Sequence, residues 1–278
     1  TKPAWDVATS TEKEVIFDLW NGAATSSADY GRLTIELTGA AFGTPFLVTV
    51  QSGTDGYFQQ SIGITPTTAS LTDWSHYAFT FISSSSDVET KFYINGDLNH
   101  TLNTGTSVNE ITGALIANIG ALRTAPSGNV FFGTAVTEGH GKLSGSLDEF
   151  RYWKTKRTSK DINKYWFTQI AGGTNTDVAL TGTLSNKYNE ENQVDLGVYY
   201  KFNEGITGNN SIDSSVLDYS GRISDGEWTG YVGTNSRNVG SAIISASAAP
   251  REFKDPIIYS SHPDVDALLT TLKNSGLS

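Results

Sequence analysis

The sequence predicts an all-β protein built as an antiparallel β-sandwich, and three observations favour this class. Apolar residues alternate with polar ones, with a period of two, over residues 15–20, 32–37 and 46–50. The pair Asn95-Gly96 suits a type I′ hairpin turn, because both central residues of that turn need positive φ. The chain contains 28 glycines, 37% hydrophobic residues and only 17% charged residues. This composition is typical of a sizeable core with many tight turns.

The same alternation places strands in order along the first part of the chain. In the second strand, Arg32, Thr34 and Glu36 share one face, opposite a face of leucine and isoleucine. In the hairpin, Leu98 and Leu102 are expected to face the core from the second arm. The predicted strands are 15–20, 32–37, 46–50, 57–62, 76–81, 90–94, 97–102 and 115–122.

The strand predicted over 143–153 changes phase partway along. Leu143 and Leu147 lie on one face, whereas Phe150 and Tyr152 lie on the other. Two explanations stay open: a β-bulge near residues 148–149, or a central strand buried on both faces.

A short helix follows this strand. Thr158 stands three residues before Asp161, which forms a capping box with Asp in place of Glu. Ile162, Tyr165, Trp166 and Ile170 then recur at helical spacing, and Gly172-Gly173 ends the run.

The chain divides into three predicted parts. Residues 1–170 form the sandwich, whose N-terminal strand we expect to be cut off. Residues 171–232 carry returning strands, at 197–202 and 226–232, or a small subdomain that completes the sandwich. Residues 233–278 are a linker with a short C-terminal helix leading to a following domain. The absence of an initial Met and of an opening strand before Val15 leads us to expect a piece of a longer polypeptide.

Composition also excludes several classes of function. The net charge of −10 repels phosphate backbones, so no nucleic-acid partner is expected. There is no cysteine, and therefore no thiol chemistry and no thiolate metal site. The four histidines are too scattered for a metal set, and no apolar run approaches the roughly 18 residues that a spanning helix needs. We therefore predict no membrane insertion.

Three stretches carry a family resemblance. The first joins Leu71–Phe81, which contains Trp74-Ser-His-Tyr-Ala, to Lys91–Asp97. The second is the order G-x-x-D-E-x-R-x-W at 145–153, and the third is Leu196–Gly205 with its Gly-rich continuation to 230. Together they resemble the laminin-G-like jelly rolls, which are concanavalin A-like sandwiches. The resemblance implies this fold, and it implies that Trp74 caps one end of the core.

The resemblance also implies a function. Large phage virion proteins carry laminin-G-like modules of this style, which indicates a non-catalytic structural or adhesion module of a tail, baseplate or fibre protein. Its expected partners are other virion proteins in a homo- or hetero-oligomeric assembly and a host glycan, and its expected location is the virion. A secreted or cell-surface lectin-like module is the alternative, and a polysaccharide hydrolase is the third reading.

The acidic pair Asp148-Glu149 is the only catalytic candidate, and we assign it no catalytic role. Glycosidases of this sandwich class carry carboxylates on alternate positions of one strand, where both point into one cleft. Adjacent carboxylates point to opposite faces unless a bulge re-aims one of them. We expect one of the two to pair with Arg151 instead.

Two sets of binding residues remain. Asp213 and Asp218 lie in a segment rich in Asn, Asp and Ser and are candidate ligands of Ca²⁺, which prefers oxygen donors from loops. No other cofactor is expected. The candidates for stacking on a glycan are Trp5, Trp20, Tyr57 and Trp228.

Overall fold

The computed structural model describes residues 13–24, 26–39, 44–124, 141–167, 195–202, 204, 207–220, 222 and 224–232. These residues belong to two compact units, the first running to Phe202 and including Leu217–Gly226, the second comprising Asn203–Val216 and the chain from Glu227 onward. The strands are β1 (Lys13–Trp20), β2 (Gly31–Thr38), β3 (Phe46–Ser52), β4 (Asp55–Ile62), β5 (Tyr77–Ser83), β6 (Val88–Ile94), β7 (Asp97–Asn103), β8 (Ile116–Ile119), β9 (Phe150–Trp153), β10 (Leu196–Tyr200), β11 (Ser215–Val216) and β12 (Gly226–Glu227). The helices are α1 (Ser159–Tyr165) and α2 (Asn210–Asp213), with a 3₁₀ turn at Ala69–Thr72.

Two antiparallel sheets of the first unit pack face to face. One has the strand order β4-β3-β2-β1-β8 and the other the order β5-β6-β7. Their facing sides share one apolar core, in which the ring of Phe46 lies 4.8 Å from that of Phe92 and 5.0 Å from that of Tyr77. Strands β9 and β10 pair with each other. The predicted all-β sandwich is confirmed.

The β6–β7 hairpin turns at Asn95 and Gly96, whose φ angles are +50° and +88°, as a type I′ turn requires. The inward orientation predicted for Leu98 is wrong. The register shifts between Phe92 and Tyr93, so Leu98 pairs with Tyr93 and is 50% exposed. Leu102, beyond this bulge, does pack against the core. A bulge adds one residue to one strand, so the side chains beyond the bulge point to the opposite face of the sheet.

The phase change before β9 has a local cause. Glu149 adopts φ +55°, outside the region favoured by L-residues, and the strand begins only at Phe150. Phe150 and Tyr152 then pack on the core, with ring centroids 5.4 and 6.2 Å from Phe17. Neither explanation left open by the sequence is correct: residues 143–149 lie outside any strand, and the phase change marks the point where β9 begins.

Helix α1 begins at the predicted capping box. The Thr158 hydroxyl accepts the Asp161 N–H at 3.2 Å, and the Asp161 carboxylate accepts the Thr158 N–H at 3.3 Å. Ile162 and Tyr165 are buried, and Ile170 lies outside the described residues. The helix thereby receives two partners for N–H groups that would otherwise be unsatisfied.

Trp74 does not cap the core. The 3₁₀ turn places Leu71 in the core at 5% exposure, and the chain is extended from Asp73 onward. Trp74 is left 47% exposed. The implied role is therefore wrong: Leu71 packs in the core and Trp74 does not.

The other face of the five-stranded sheet is polar and buried. Asp18 and Arg32 are both fully buried and form a bidentate pair, with N···O distances of 2.7 and 2.6 Å. The Thr124 hydroxyl accepts a third bond from Arg32 at 2.8 Å, and the backbone N–H of Arg123 donates to Asp18 at 2.9 Å. A buried ion pair needs such additional hydrogen bonds to offset its desolvation.

Glu36 lies on the same face and is not paired with a charge at bonding distance. Its residue is fully buried, Oε1 has no hydrogen-bond partner, and Oε2 accepts only a long bond of 3.4 Å from Gln59. Gln59 in turn accepts a hydrogen bond from Lys13 at 2.5 Å. Burial raises the pKa of Glu36 from 4.5 to about 7, and the charge of Lys13 opposes that rise.

The second unit is small in its described part. The Asn209 side chain accepts the Ser211 N–H and caps α2, and the Trp228 N–H donates to the Ser214 carbonyl at 2.7 Å. The predicted linker and C-terminal helix at 233–278 lie outside the described residues, so the three-part division stays a prediction. Within the described ranges, no helix has the length and apolar character needed to cross a membrane.

Replacing Glu36 by Gln is expected to change how stability depends on pH. Between about pH 4.5 and 7 the folded protein keeps a proton that the unfolded chain has lost, so stability falls as pH rises through this window. Glu36→Gln removes that loss and raises the free energy of unfolding above pH 7 by roughly 3 kcal/mol relative to wild type. Urea denaturation at several pH values measures the free energy of unfolding of both proteins. The exposed Glu110→Gln is the control, and parallel pH profiles for wild type and Glu36→Gln would contradict the assignment.

Candidate ligand-binding groove

An open groove lies at one end of the sandwich, where loops from both sheets meet. The β3–β4 turn comes from the five-stranded sheet, and the β5–β6 turn and the segment after β7 come from the three-stranded sheet. The groove has a volume of about 470 Å³ and is lined by Thr54, Asp55, Gly56, Ser85, Ser86, Gly105, Thr106 and Ser107. We call it the rim groove.

Asp87 holds two of the three loops together. Its Oδ1 accepts the N–H of Thr104 at 2.9 Å and that of Gly105 at 2.8 Å. Its own backbone closes the β5–β6 turn, because the Ser84 N–H donates to the Asp87 carbonyl at 2.8 Å. Hydrogen bonds that backbone N–H groups donate to a carboxylate are stronger than those between neutral groups. The loops therefore keep their arrangement without a ligand.

The β3–β4 turn, which is the third loop of the groove, is fixed by backbone geometry. Gly56 has φ +106°, and a Cβ atom there would lie 2.1 Å from the Val50 carbonyl oxygen and 3.0 Å from the Val108 side chain. Only glycine fits such a close approach. The Asn109 side chain then donates to Asp55 Oδ2 at 2.9 Å, which ties this turn to the segment that follows β7.

The lining of the rim groove consists of hydroxyl groups, backbone amides and one carboxylate. Asp55 is the charged member of the set, and five of the eight residues are Ser or Thr. Each hydroxyl both donates and accepts a hydrogen bond. Such a surface complements a ligand that presents several hydroxyl groups.

The acidic pair lies away from this groove and is built into the β9–β10 region. Glu149 Oε2 accepts hydrogen bonds from Arg151 at 3.1 Å and from the Tyr199 hydroxyl at 2.5 Å, so the expected pairing with Arg151 is present. Burial raises the pKa of Tyr199, and the hydrogen bond to Glu149 raises it further. Burial, followed by the charge of Glu149, raises the pKa of Asp148 to about 6.

The calcium candidates are each bonded to protein groups. Asp213 accepts the N–H of Thr207 at 2.8 Å and that of Gly208 at 2.9 Å. Asp218 accepts the N–H of Tyr199 and that of Ser220, both at 2.9 Å. The two lie in different units. Among the described residues, no group of three or more His, Asp or Glu side chains is arranged to hold a metal ion, and calcium binding at these positions stays a prediction.

Of the glycan-stacking candidates, two have no exposed ring face. Trp20 is 4% exposed and donates its Nε1–H to the Ala23 carbonyl, and Tyr57 is 6% exposed with its hydroxyl 2.5 Å from that of Thr90. Both side chains are buried, and period-two spacing alone does not indicate what covers them. Trp228 is half-buried in the second unit, and Trp5 lies outside the described residues, so these two stay predictions.

Sequence reasoning missed the rim groove because its residues read as ordinary turns. The signal was present in two runs of hydroxyl side chains, Ser83–Ser86 and Thr104–Ser107. Ser, Thr, Gly and Asp dominate any turn, so neither run identifies a binding surface alone. Only the pairing of strands within the two sheets shows that both runs reach the same end of the sandwich.

The described residues thus form an antiparallel β-sandwich with an open groove at one end. The family model of the concanavalin A-like lectin/glucanases superfamily, in its laminin G form, matches residues 4–163, more than half of the 278 residues. The chain therefore belongs to this superfamily. Neither a search of curated proteins nor one of solved structures found a match. The superfamily contains both lectins and glucanases, so membership favours a carbohydrate-related module and leaves catalysis undecided.

Asp87→Ala is expected to loosen the rim groove without unfolding the sandwich. The N–H groups of Thr104 and Gly105 lose their acceptor, and their amide hydrogen exchange should speed up by roughly tenfold or more, since a hydrogen bond to a charged group contributes about 1.5–3 kcal/mol. Exchange measured by NMR checks this. Asp97→Ala, which removes a carboxylate bonded to Asn163 near the β6–β7 turn, is the control. Unchanged exchange at both amides in Asp87→Ala would show that another group fixes these loops.

Proposed function

We propose that this chain is a non-catalytic adhesion module that binds carbohydrate in the rim groove. Membership of the lectin/glucanases superfamily supports the ligand class. The observation that carries the proposal is the groove itself: eight residues from three loops, rich in hydroxyl groups and held in place by Asp87 and Gly56.

The fixed loops favour binding because a ligand need not order them. Ordering an interface costs about 0.5–1.5 kcal/mol for each immobilised side chain, and a prearranged site avoids much of that cost. Short Ser and Thr side chains also lose little conformational freedom compared with long ones. An uncharged ligand with many hydroxyl groups gains several hydrogen bonds here at low entropic cost.

The surroundings of Glu149 support the non-catalytic part of the proposal. One oxygen of its carboxylate already accepts hydrogen bonds from Arg151 and Tyr199. The positive φ at Glu149 departs from the alternate-carboxylate strand of the glycosidases in this class. Asp148, whose pKa is raised to about 6, is the residue that the hydrolase alternative would use as its acid.

The proposal extends to the setting of the module. We place it in a larger virion protein of a phage tail, baseplate or fibre, with other virion proteins as its partners, on the strength of the resemblance carried by residues 71–97, 145–153 and 196–230. A secreted or cell-surface lectin is the alternative. Mass spectrometry of virions produced by the genome that encodes this chain separates the two, because a lectin would be found in the culture fluid and not in the particles.

Ser86→Trp is expected to abolish glycan binding by filling the rim groove. Ser86 is an exposed lining residue, so the added indole occupies the groove without entering the core. A glycan array read with wild type, Ser86→Trp and the control Ser211→Trp checks this; Ser211 is exposed on α2 and is not a lining residue. We expect the same hits for wild type and the control, and a loss of at least about tenfold for Ser86→Trp.

Two results would contradict the proposal. One is a blank array for wild type, and the other is equal binding by Ser86→Trp. Release of reducing sugar from any array hit, lost in Asp148→Asn, would replace the non-catalytic proposal with the hydrolase alternative.

A further inference from the structure

An amine, a carboxamide and a carboxyl group meet on the polar face of the five-stranded sheet. Strand β1 carries Lys13, β2 carries Glu36 and β4 carries Gln59. Lys13 Nζ lies 2.5 Å from Gln59 Oε1, and Gln59 Nε2 lies 3.4 Å from Glu36 Oε2. The Gln59 amide therefore has the amine at its oxygen and the carboxyl group at its nitrogen.

The backbone at Gln59 is strained in a way that bears on this contact. Gln59 adopts φ +47°, which is uncommon for a residue other than glycine. The β3–β4 register shifts between Val48 and Val50, and the Gln59 N–H donates to the Thr49 hydroxyl at 2.9 Å. Such an irregularity re-aims a side chain, and strain of this kind is found at functional sites. We infer that the irregularity sets the direction of the Gln59 carboxamide.

The carboxyl group in this contact is shielded from solvent. Glu36 is fully buried, and its Oε1 has no hydrogen-bond partner among the described residues. Val15 stands opposite Glu36 in the β1–β2 ladder, is fully buried, and forms an apolar cluster with Leu122 and Phe58. Water is therefore kept from the carboxyl group, which favours reaction between the side chains over hydrolysis by water.

The protonation of Glu36 suits the transfer of a proton in either direction. Burial raises its pKa to about 7, against the opposing charges of Lys13 and Arg32, while the charge of Asp18 adds to the rise. Asp18 is itself held in the bidentate pair with Arg32. Burial also lowers the pKa of Lys13, against the charge of Glu36, which increases the share of neutral amine. Near neutral pH both forms of Glu36 are populated, as a general acid and base requires.

We propose that Lys13 and Gln59 join in an intramolecular isopeptide bond, with Glu36 as the group that moves the proton. The neutral Lys13 Nζ adds to Gln59 Cδ and forms the new C–N bond. The Cδ–Nε2 bond then breaks, and Nε2 leaves as ammonia with a proton from the Glu36 carboxyl group. The Glu36 carboxylate takes a proton from Nζ in turn, so the reaction needs no oxidant, reductant or second substrate.

The distances in the contact are compatible with this attack. A carbonyl bond is about 1.23 Å long, so Lys13 Nζ is at most about 3.7 Å from Gln59 Cδ. Reacting atoms in a near-attack arrangement are about 3–3.5 Å apart. A small movement of the flexible lysine side chain is therefore enough to bring the two atoms together.

The bond would connect strands that are not neighbours. Two other strands, β3 and β2, lie between β4 and β1 in the sheet. A cross-link that closes the loop from residue 13 to residue 59 limits the conformations of the unfolded chain, as a disulfide does. The chain has no cysteine, so this chemistry would supply a covalent brace that disulfides cannot.

Mass spectrometry of the purified full chain, incubated at neutral pH, tests the proposal. We expect the wild type to be lighter by the mass of one ammonia molecule, and a tryptic digest to contain one branched peptide that joins Lys13 to Gln59. Lys13→Arg, Gln59→Leu and Glu36→Gln are each expected to keep their full mass. Lys142→Arg and Gln60→Leu are the matched controls, because both residues are exposed, and they should lose ammonia as the wild type does.

Three outcomes overturn the proposal. One is a wild type that keeps its full mass after prolonged incubation, which would leave only a hydrogen bond between the two side chains. The second is a loss of ammonia that maps to Asn21-Gly22 or Asn95-Gly96, where a cyclic imide gives the same mass. The third is a loss that persists in Lys13→Arg. The wild-type reading needs no variant, so poor folding of a variant does not block the test.

The result is independent of glycan binding, because none of the three side chains lines the rim groove. A blank glycan array with a cross-linked wild type would sink the proposed function alone, and binding by a chain of full mass would sink the isopeptide bond alone. The unfolding comparison predicted for Glu36→Gln is made in a Gln59→Leu background, where no bond can form.

Discussion

The contact between the two sheets is the interaction on which the rest of this domain depends. Phe46 of β3 and Phe92 of β6 are both fully buried, with ring centroids 4.8 Å apart, and Phe79 lies 4.8 Å from Phe92. Aromatic pairs at such distances contribute about 0.5–1.5 kcal/mol beyond the area they bury. The rim groove has one wall on each sheet, so its shape is a consequence of this packing and not of any single loop.

The rim groove is made of short hydroxyl side chains and tight glycine turns. The five-stranded sheet carries, on its other face, a buried bidentate ion pair, Asp18–Arg32. Buried pairs of this kind contribute little net stability but are costly to break on one side. The geometry of the Asp18–Arg32 pair fixes the register of β1 against β2.

Much of the fold is encoded in local pattern. Period-two alternation located the strands, the Asn95-Gly96 pair located the hairpin, and the Thr158/Asp161 box located α1, because each depends on residues close in sequence. The same alternation sorted Arg32, Thr34 and Glu36 onto one face. It gave no sign that this face is buried, because alternation assigns a side chain to a face and does not indicate what covers that face.

The candidate sites were harder to predict for a related reason. Leu98 faces outward because of a one-residue bulge, and Trp74 is exposed while Leu71 packs in the core. Neither feature can be inferred from composition or periodicity. Thr54, Ser86 and Thr106 are distant in sequence and meet only after both sheets have formed. Residues brought together by long-range strand pairing cannot be grouped by spacing alone.

The central claim is that this sandwich binds a glycan, intact, in the rim groove. A ¹H–¹⁵N NMR titration with a glycan identified on the array tests it most directly. The account predicts chemical-shift changes concentrated at Thr54–Gly56, Ser85–Ser86 and Gly105–Ser107, with the glycan spectrum unchanged after prolonged incubation. Shifts confined to residues around Asp148 and Glu149, accompanied by new reducing-end signals from the glycan, would contradict it.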